Sequence, residues 1–236
     1  MSASKQNRPR RGGSRARINT SLADIKQANK VSDADFVKKY MRPSVGWEQW
    51  THPRTGDEYT LSLKRAGNLS KAEMDTCFEL LAEMSGPDYM CSQGGWHPSA
   101  KKEEMDSPDL RYILVKANGA NTEESIQGFA SLMPTFEDQV PVIYCYEMQL
   151  RPAVQGVGLG RRLMNYVLAT AANTPSVVGT MLTCFVHNQG ARRFYEWMGF
   201  VVDESSPRDR KLRSGKVIAA DYVILSCKSP STAEID

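Results

Sequence analysis

VIYCYEMQL at residues 142–150 runs directly into RPAVQGVGLGRR at 151–162, and this passage decides the architecture. Apart from Gln149, the first nine residues are apolar, β-branched or aromatic around a single acid, Glu147, which is the composition of an interior strand. After the glycines, Leu159, Leu163, Val167 and Thr170 recur at near-helical spacing, so a helix is expected over 155–172. Strand, glycine-rich turn and helix N-terminus together make an anion cradle. Glycine lets the backbone approach a phosphate, successive N–H groups point at it, and the helix dipole favours its charge. Spacing then separates the motifs that share this logic. A Walker A loop needs G-x-x-x-x-G-K-[ST], and a dinucleotide fingerprint would need a glycine where Arg161 stands. What fits is Q-x-x-G-x-G at Gln155, Gly158 and Gly160.

Outward from this passage, strands are expected at 58–64, 111–116, 126–134, 179–185 and 222–227, and a helix at 190–198. Ser70 and Glu73 form a capping box before Met74, Cys77, Leu80, Leu81 and Met84, the clearest helix start in the chain. Helical signals also cover 20–41. Residues 85–99, rich in Gly, Pro and Ser and carrying Tyr89 and Trp96, read as a long loop of the kind that holds function. Helices, a three-strand meander and then β-α-β-α-β imply one α/β domain on a mixed sheet. The expected division is a disordered basic tail at 1–19, an N-terminal helical extension packing on the core at 20–57, the catalytic-type domain at 58–228, and a disordered C-terminal tail at 229–236.

The 236 residues carry 30 Lys plus Arg against 27 Asp plus Glu, a net charge of +3. Residues 1–17 hold six of those bases and no acid, leaving 24 bases against 27 acids, or −3, on the remaining body. A basic leader on a mildly acidic body suits a cationic partner for the body. No apolar run approaches the ~20 residues of a membrane span, and the leader lacks the apolar stretch of a secretory signal. Five scattered cysteines without C-x-x-C and three scattered histidines point to a reducing compartment and no metal.

A second pattern stands thirty residues beyond the first. Asn188, Ala191, Phe194, Tyr195, Gly199 and Phe200 follow N-x-x-A-x-x-F-Y-x-x-x-G-F directly after a strand. With Q-x-x-G-x-G at this spacing, the chain resembles the GNAT superfamily of acetyl-CoA-dependent N-acetyltransferases. YCYEMQL at 144–150, MLTCFVHNQGA at 181–191, DESSP at 203–207, DYVILS at 221–226 and FVKKY at 36–40 are similar to the NatD group, as is the 89–105 segment ending W-x-x-x-x-K-K-E-E-M. That group acetylates the α-amine of histones H-four and H-two-A, whose tails begin Ser-Gly-Arg-Gly. The resemblance implies a GNAT fold with a mixed, mostly antiparallel sheet flanked by helices, acetyl-CoA as co-substrate and direct attack in a ternary complex. It further implies a monomer of nucleus and cytoplasm, with the leader near nucleosome or ribosome.

The resemblance also assigns roles. Glu147 is the general base, with Tyr146 beside it and Tyr195 as candidate acid, although packing also explains Tyr195. Met148, Gln149 and Leu150 supply backbone N–H groups where the strand splays. Gln155, Gly156, Val157, Gly158, Leu159, Gly160, Arg161 and Asn188 hold the coenzyme. Tyr89, Trp96, Glu137, Tyr146, Thr183 and Tyr222 face the peptide, Glu137 (with Asp138) pairing with its arginine. Strict alternation along 142–150 sets Tyr144, Tyr146 and Met148 opposite Cys145, Glu147 and Gln149. Glu147 could equally be a buried, partnered acid or a solvent-facing one. Thr135 replaces an acid usual in the group, and the loop 207–216 carries five bases. Two alternatives stay open: a GNAT enzyme for another amine, and a chromatin or nucleic-acid tether with a vestigial acetyl-CoA fold.

Overall fold

Five consecutive buried residues, Arg111 to Val115, open β3 (Arg111–Ala117). A strand buried on successive residues must be covered from both faces. Ile113 and Val115 join a core on one face, Tyr112 and Leu114 a second core on the other. The computed structural model describes residues 12–119, 126–211, 213–215 and 217–229, with side chains from residue 18. Of the tails expected at 1–19 and 229–236, residues 1–11 and 230–236 lie outside the described residues.

Around β3 lie β1 (Gln49–Thr51), β2 (Glu58–Arg65), β4 (Ile126–Glu137), β5 (Val140–Leu150), β6 (Gly179–Phe185), β7 (Val201–Val202) and, after a two-stranded hairpin of β8 (Arg210–Lys211) and β9 (Val217–Ile218), β10 (Tyr222–Lys228). They order as β1-β2-β3-β4-β5-β6-β10-β7, antiparallel except for β5 with β6. One face is covered by α1 (Gly12–Lys30), α2 (Asp33–Phe36, continuing as a π turn to Met41) and α5 (Leu159–Asn173), with Tyr195 of α6 (Gln189–Trp197). The other face is covered by α3 (Lys71–Cys91) and α4 (Pro98–Met105). This is the mixed, mostly antiparallel sheet flanked by helices that the sequence implies, with an N-terminal helix.

Four local expectations are corrected. Helix α1 begins at Gly12, inside the stretch read as tail, and β1 makes the 20–57 extension more than helical. Helix α5 starts at Leu159, because Gly158 adopts a left-handed φ of 89° that no helical residue shares. The loop read at 85–99 shrinks to the six residues between α3 and α4, since α3 passes through Pro87 to Cys91. Proline removes one helical hydrogen bond and normally ends a helix. Here the last turn is held from outside: Asp88 accepts from Asn188 Nδ2 at 3.1 Å and pairs with His187, and Tyr89 packs edge-on against Phe185 at 5.0 Å.

The fourth correction concerns β5. Glu147 pairs with Ser131 of β4 and Cys145 with Leu132, so Tyr146 is an extra residue without a partner, a β-bulge. Alternation therefore slips at Tyr146. Before it, Ile143 and Cys145 face the α5 core and Tyr144 the α3 side; after it, Met148 and Leu150 pack on the α5 core, while Gln149 bonds Ser85 of α3 and Glu147 bonds Tyr89 of α3. Tyr144, Tyr146, Glu147 and Gln149 share one face.

The N-terminal extension is fastened by two arginines. Arg111 is 0% exposed and donates from Nη2 to the carbonyls of Ala28, Asn29 and Val31 at 3.0–3.3 Å. Its guanidinium lies 4.1 Å from the Phe36 ring centre and 3.6 Å from Asp33 Oδ1. Arg65 Nη2 donates to Val31 O at 2.8 Å and to Asn29 O. These are carbonyls at the C-terminal end of α1, where a helix leaves acceptors unmatched and favours cations. We expect Arg111→Met to lower stability by about 1–3 kcal/mol, because it removes the cation beside Asp33 and one of the two arginine donors to the end of α1, leaving Arg65 to hold the Asn29 and Val31 carbonyls alone. Chemical denaturation measures the loss, and hydrogen exchange should open first in 18–31. A stability within about 0.5 kcal/mol of wild type would contradict the role of Arg111 as the fastening.

Candidate active site

Strands β5 and β6 pair only from Ile143–Thr180 to Cys145–Leu182. Beyond that they diverge, and a cleft of about 1590 Å³ opens at the divergence. The β5 edge over Met148 to Leu150 consequently has no strand partner on the β6 side, although its β4 side stays paired. Gln155 extends from the following turn to donate from Nε2 to Leu150 O at 2.7 Å, fixing the glycine turn to the strand end.

At one end of the cleft stands the cradle. Gly156 (φ 66°) and Gly158 (φ 89°) take left-handed conformations, and no side chain caps the first turn of α5. Its leading N–H groups are thus free to meet an anion. Gly156, Gly158, Gly160 and Arg161 line the cleft, with Arg193 from α6 adding a second cation. Val157 and Leu159, expected among the coenzyme contacts, do not line it: Leu159 is 0% exposed in the core and Val157 packs against that core. Asn188 lines the cleft but already accepts from Ala191 N–H at 3.0 Å as the α6 cap and donates to Asp88. A diphosphate with an extended arm fits this end by charge, backbone donors and room.

The other end is acidic and aromatic. Tyr89, Trp96, Tyr144, Tyr146 and Tyr222 line it with Glu104, Glu137 and Asp221. Trp96 forms a wall, 5.2 Å from Tyr89 and stacked at 5.8 Å on Phe78. Thr183 shares a 2.6 Å hydrogen bond with Tyr144 across the divergence. Glu137 sits one residue before a two-residue turn in which Asp138 and Gln139 both have positive φ (46° and 69°), the geometry of a tight hairpin. Burial and neighbouring Asp138 push the Glu137 carboxyl pKa upward; Asp138 itself does not line the cleft. The basic loop proves to be the β8–β9 hairpin. Gln93 ties its end to the cleft rim through Asp221 and Ala219 O, and Arg208, Arg210, Lys211 and Arg213 are exposed and do not line the cleft. Lys216 lies outside the described residues.

Glu147 is where the two ends meet. It is 8% exposed, and its carboxylate accepts from Tyr89 Oη (3.2 Å) and Lys101 Nζ (3.0 Å) on one oxygen and from Gln149 Nε2 (2.9 Å) on the other. Burial holds the Tyr146 and Tyr89 hydroxyls protonated, each pushed up to about 12. Tyr195 borders the cleft while packed in the core, and desolvation raises its pKa well above the ordinary range. Lys101, Glu104 and Asp88 were not singled out by the sequence reading. They belong to helices whose outward pattern, such as AKKEEM at 100–105, is that of a solvated face. Among the described residues, no group of three or more His, Cys, Asp or Glu could hold a metal.

Known proteins resemble this chain in sequence and in fold. N-alpha-acetyltransferase 40 of Saccharomyces cerevisiae is 32% identical over 157 residues, 57% of this chain and 53% of that protein, so the match spans about half the relative's length. N-alpha-acetyltransferase RimI of Mycobacterium tuberculosis is 31% identical over 139 residues, covering 57% of this chain and 76% of its own. The crystal structure of Arabidopsis thaliana NAA60 in complex with acetyl-CoA has a TM-score of 0.50 at 11% identity, over 72% of this chain and 98% of that one, which is a likeness of fold. The model of the acetyltransferase (GNAT) family matches residues 77–200, just over half of the sequence and the whole span from α3 through the cradle to α6. With the diverging strands, the glycine cradle and that match together, this chain belongs to the GNAT acetyltransferase family, whose acetyl donor is acetyl-CoA.

Proposed function

We propose that this protein is an N-alpha-acetyltransferase of the NatD type, transferring acetyl to the N-terminal amine of histones H-four and H-two-A, with Glu147 as general base. The observation that carries the reading is the placing of Glu147 between a basic, glycine-lined end and an acidic, tyrosine-lined one. Both curated relatives are named as N-alpha-acetyltransferases, which supports an α-amine as acceptor. Acids at Glu104, Glu137 and Asp221 suit a peptide whose third residue is arginine. Arg208, Arg210, Lys211 and Arg213 of the basic hairpin are exposed and do not line the cleft that would take that peptide, and the intact cradle and buried carboxylate argue against a vestigial fold. Nuclear and cytoplasmic residence follows from the histone reading and is proposed with it.

The chemistry asks little of the base. An α-amine has a pKa of ~7.7–8.0, against ~10.4 for lysine, so a useful fraction is neutral near pH 7. Bound in the cradle, acetyl-CoA supplies the thioester carbonyl that the amine attacks. Glu147, directly or through one water, takes the amine's proton as the bond to carbon forms. The N–H groups on the open edge of β5, between Met148 and Leu150, face the oxygen where negative charge gathers. Tyr195, a protonated hydroxyl bordering the cleft, can give its proton to the leaving thiolate, and solvent then removes the proton held by Glu147 and restores the one lost by Tyr195.

We expect turnover of a Ser-Gly-Arg-Gly peptide, loss of turnover when its α-amine is already acetylated, and no effect of acetylating internal lysines. Mass spectrometry locates the product's acetyl group, and lysine labelling would sink the N-alpha assignment. Glu147→Gln should lower kcat by about 10²–10⁴-fold while acetyl-CoA affinity stays within about twofold. Wild-type kcat in that variant across the accessible pH range would refute the base assignment.

A further inference from the structure

Lys101 is an ammonium enclosed in the cleft with a side chain only 11% exposed, and no step of the reaction above uses it. Its Nζ lies 3.0 Å from Glu147 Oε1 and 2.7 Å from Glu104 Oε1, and 5.0 Å from the centre of the Tyr89 ring. Lys101 and Glu104 stand one turn apart on α4, so a single helix delivers both the cation and the acid that shares it. Glu104 is 42% exposed, whereas Glu147 is 8% exposed, so the strong, poorly screened half of the triad points at the β5 carboxylate. The same Glu147 oxygen also accepts from Tyr89, and Gln149 occupies the other, so the carboxylate is fixed in direction by groups from three elements.

We propose that Lys101 is a positioning residue for catalysis, a built-in counter-ion that keeps Glu147 aimed and ionised inside the cleft, with Glu104 moderating its grip. The proposal rests on the reading of Glu147 as the base. A carboxylate taken from water binds protons more readily, and an opposite charge within about 4–6 Å opposes that change. Lys101 is the only cation paired with Glu147 among the described residues. The other titratable groups near it are Tyr89 on α3, Tyr112 on β3 and Tyr146 on β5, with Cys145 and Tyr195 on the α5 side of the sheet. Burial raises the pKa of every one of them, so they stay uncharged. Glu104 is the nearby acid that competes for the lysine. Burial is the largest influence on Lys101 and would discharge it, but Glu147, Tyr89 and Glu104 together outweigh it and raise the ammonium's pKa.

The sign of the test follows. Removing the lysine makes the carboxylate easier to protonate, so protons bind at higher pH and the acid limb of the kcat profile moves up. Removing Glu104 leaves the lysine wholly to Glu147 and moves the limb down. The experiment combines pH–rate profiles with a carbon-13 NMR titration of the Glu147 carboxyl in the full chain. Lys101→Met should raise the titration midpoint and the acid limb together by about one to three pH units. Glu104→Gln should shift both the opposite way, and Lys101→Arg should restore the wild-type profile. If Lys101→Met does not fold, Lys101→Gln, which keeps donors and loses the charge, carries the same expectation. An unmoved midpoint in the uncharged variants, or shifts of the same sign in the Lys101 and Glu104 variants, overturns the role of Lys101 whatever the rates do. A moved midpoint with an unmoved acid limb instead overturns Glu147 as the base, and this proposal with it.

Discussion

One unpaired residue in β5 governs the geometry of the cleft. A regular strand between β4 and β6 would turn Tyr146 and Glu147 to opposite faces and bury one of them against α5. Because Tyr146 is extra relative to β4, both turn toward α3, and the Tyr144 ring packs tilted beside Tyr146 at 5.0 Å on that same face. The bulge also falls where β5 leaves β6, so the backbone that loses its strand partner is the stretch that follows Glu147. Carboxylate, tyrosines and free peptide edge arise from a single irregularity, which is how bulges commonly re-aim side chains next to active sites.

Helix α3 completes the enclosure from the opposite side. Its last turn carries Asp88 and Tyr89, which reach Phe185 at the end of β6 and His187 and Asn188 just after it. These contacts join α3 to the β6–α6 connection beside the cleft. The charge split seen along the chain recurs at smaller scale inside the cleft. Arg161 and Arg193 stand at the cradle, while Glu104, Glu137 and Asp221 stand at the mouth. Arg208, Arg210, Lys211 and Arg213 of the β8–β9 hairpin do not line the cleft, so among the described residues a loop that looked adverse to a cationic peptide leaves the mouth acidic.

Much of this was legible because it depends on local rules. The glycine spacing at 156–160 demands a turn into a helix, the Ser70–Glu73 box demands a helix start, and both are present. What escaped depends on partners remote in sequence. Pro87 looks like a helix end until Asp88 and Tyr89 meet residues about a hundred positions away. The bulge cannot be read from β5 alone, since it is a mismatch in count between two strands. Arg111 opens a strand whose next four residues are apolar or aromatic, and its burial makes sense only with the carbonyls of α1 in view. Lys101 was hidden by its company, one charged residue in a run of four on a short helix. Its sequence neighbours are solvated, and only the fold reveals that this one side chain turns inward.

The central claim is that an N-terminal amine and the acetyl thioester meet at Glu147. Its most direct measurement is a crystal structure of the full chain with a conjugate joining coenzyme A, through an acetyl bridge, to the α-amine of a Ser-Gly-Arg-Gly peptide. We expect the diphosphate at the start of α5, the peptide between Tyr89 and Tyr222, and the bridging nitrogen within hydrogen-bond reach of the Glu147 carboxylate, or one water from it. A conjugate that enters by another route, or a nitrogen that sits beyond one water from Glu147, would contradict it.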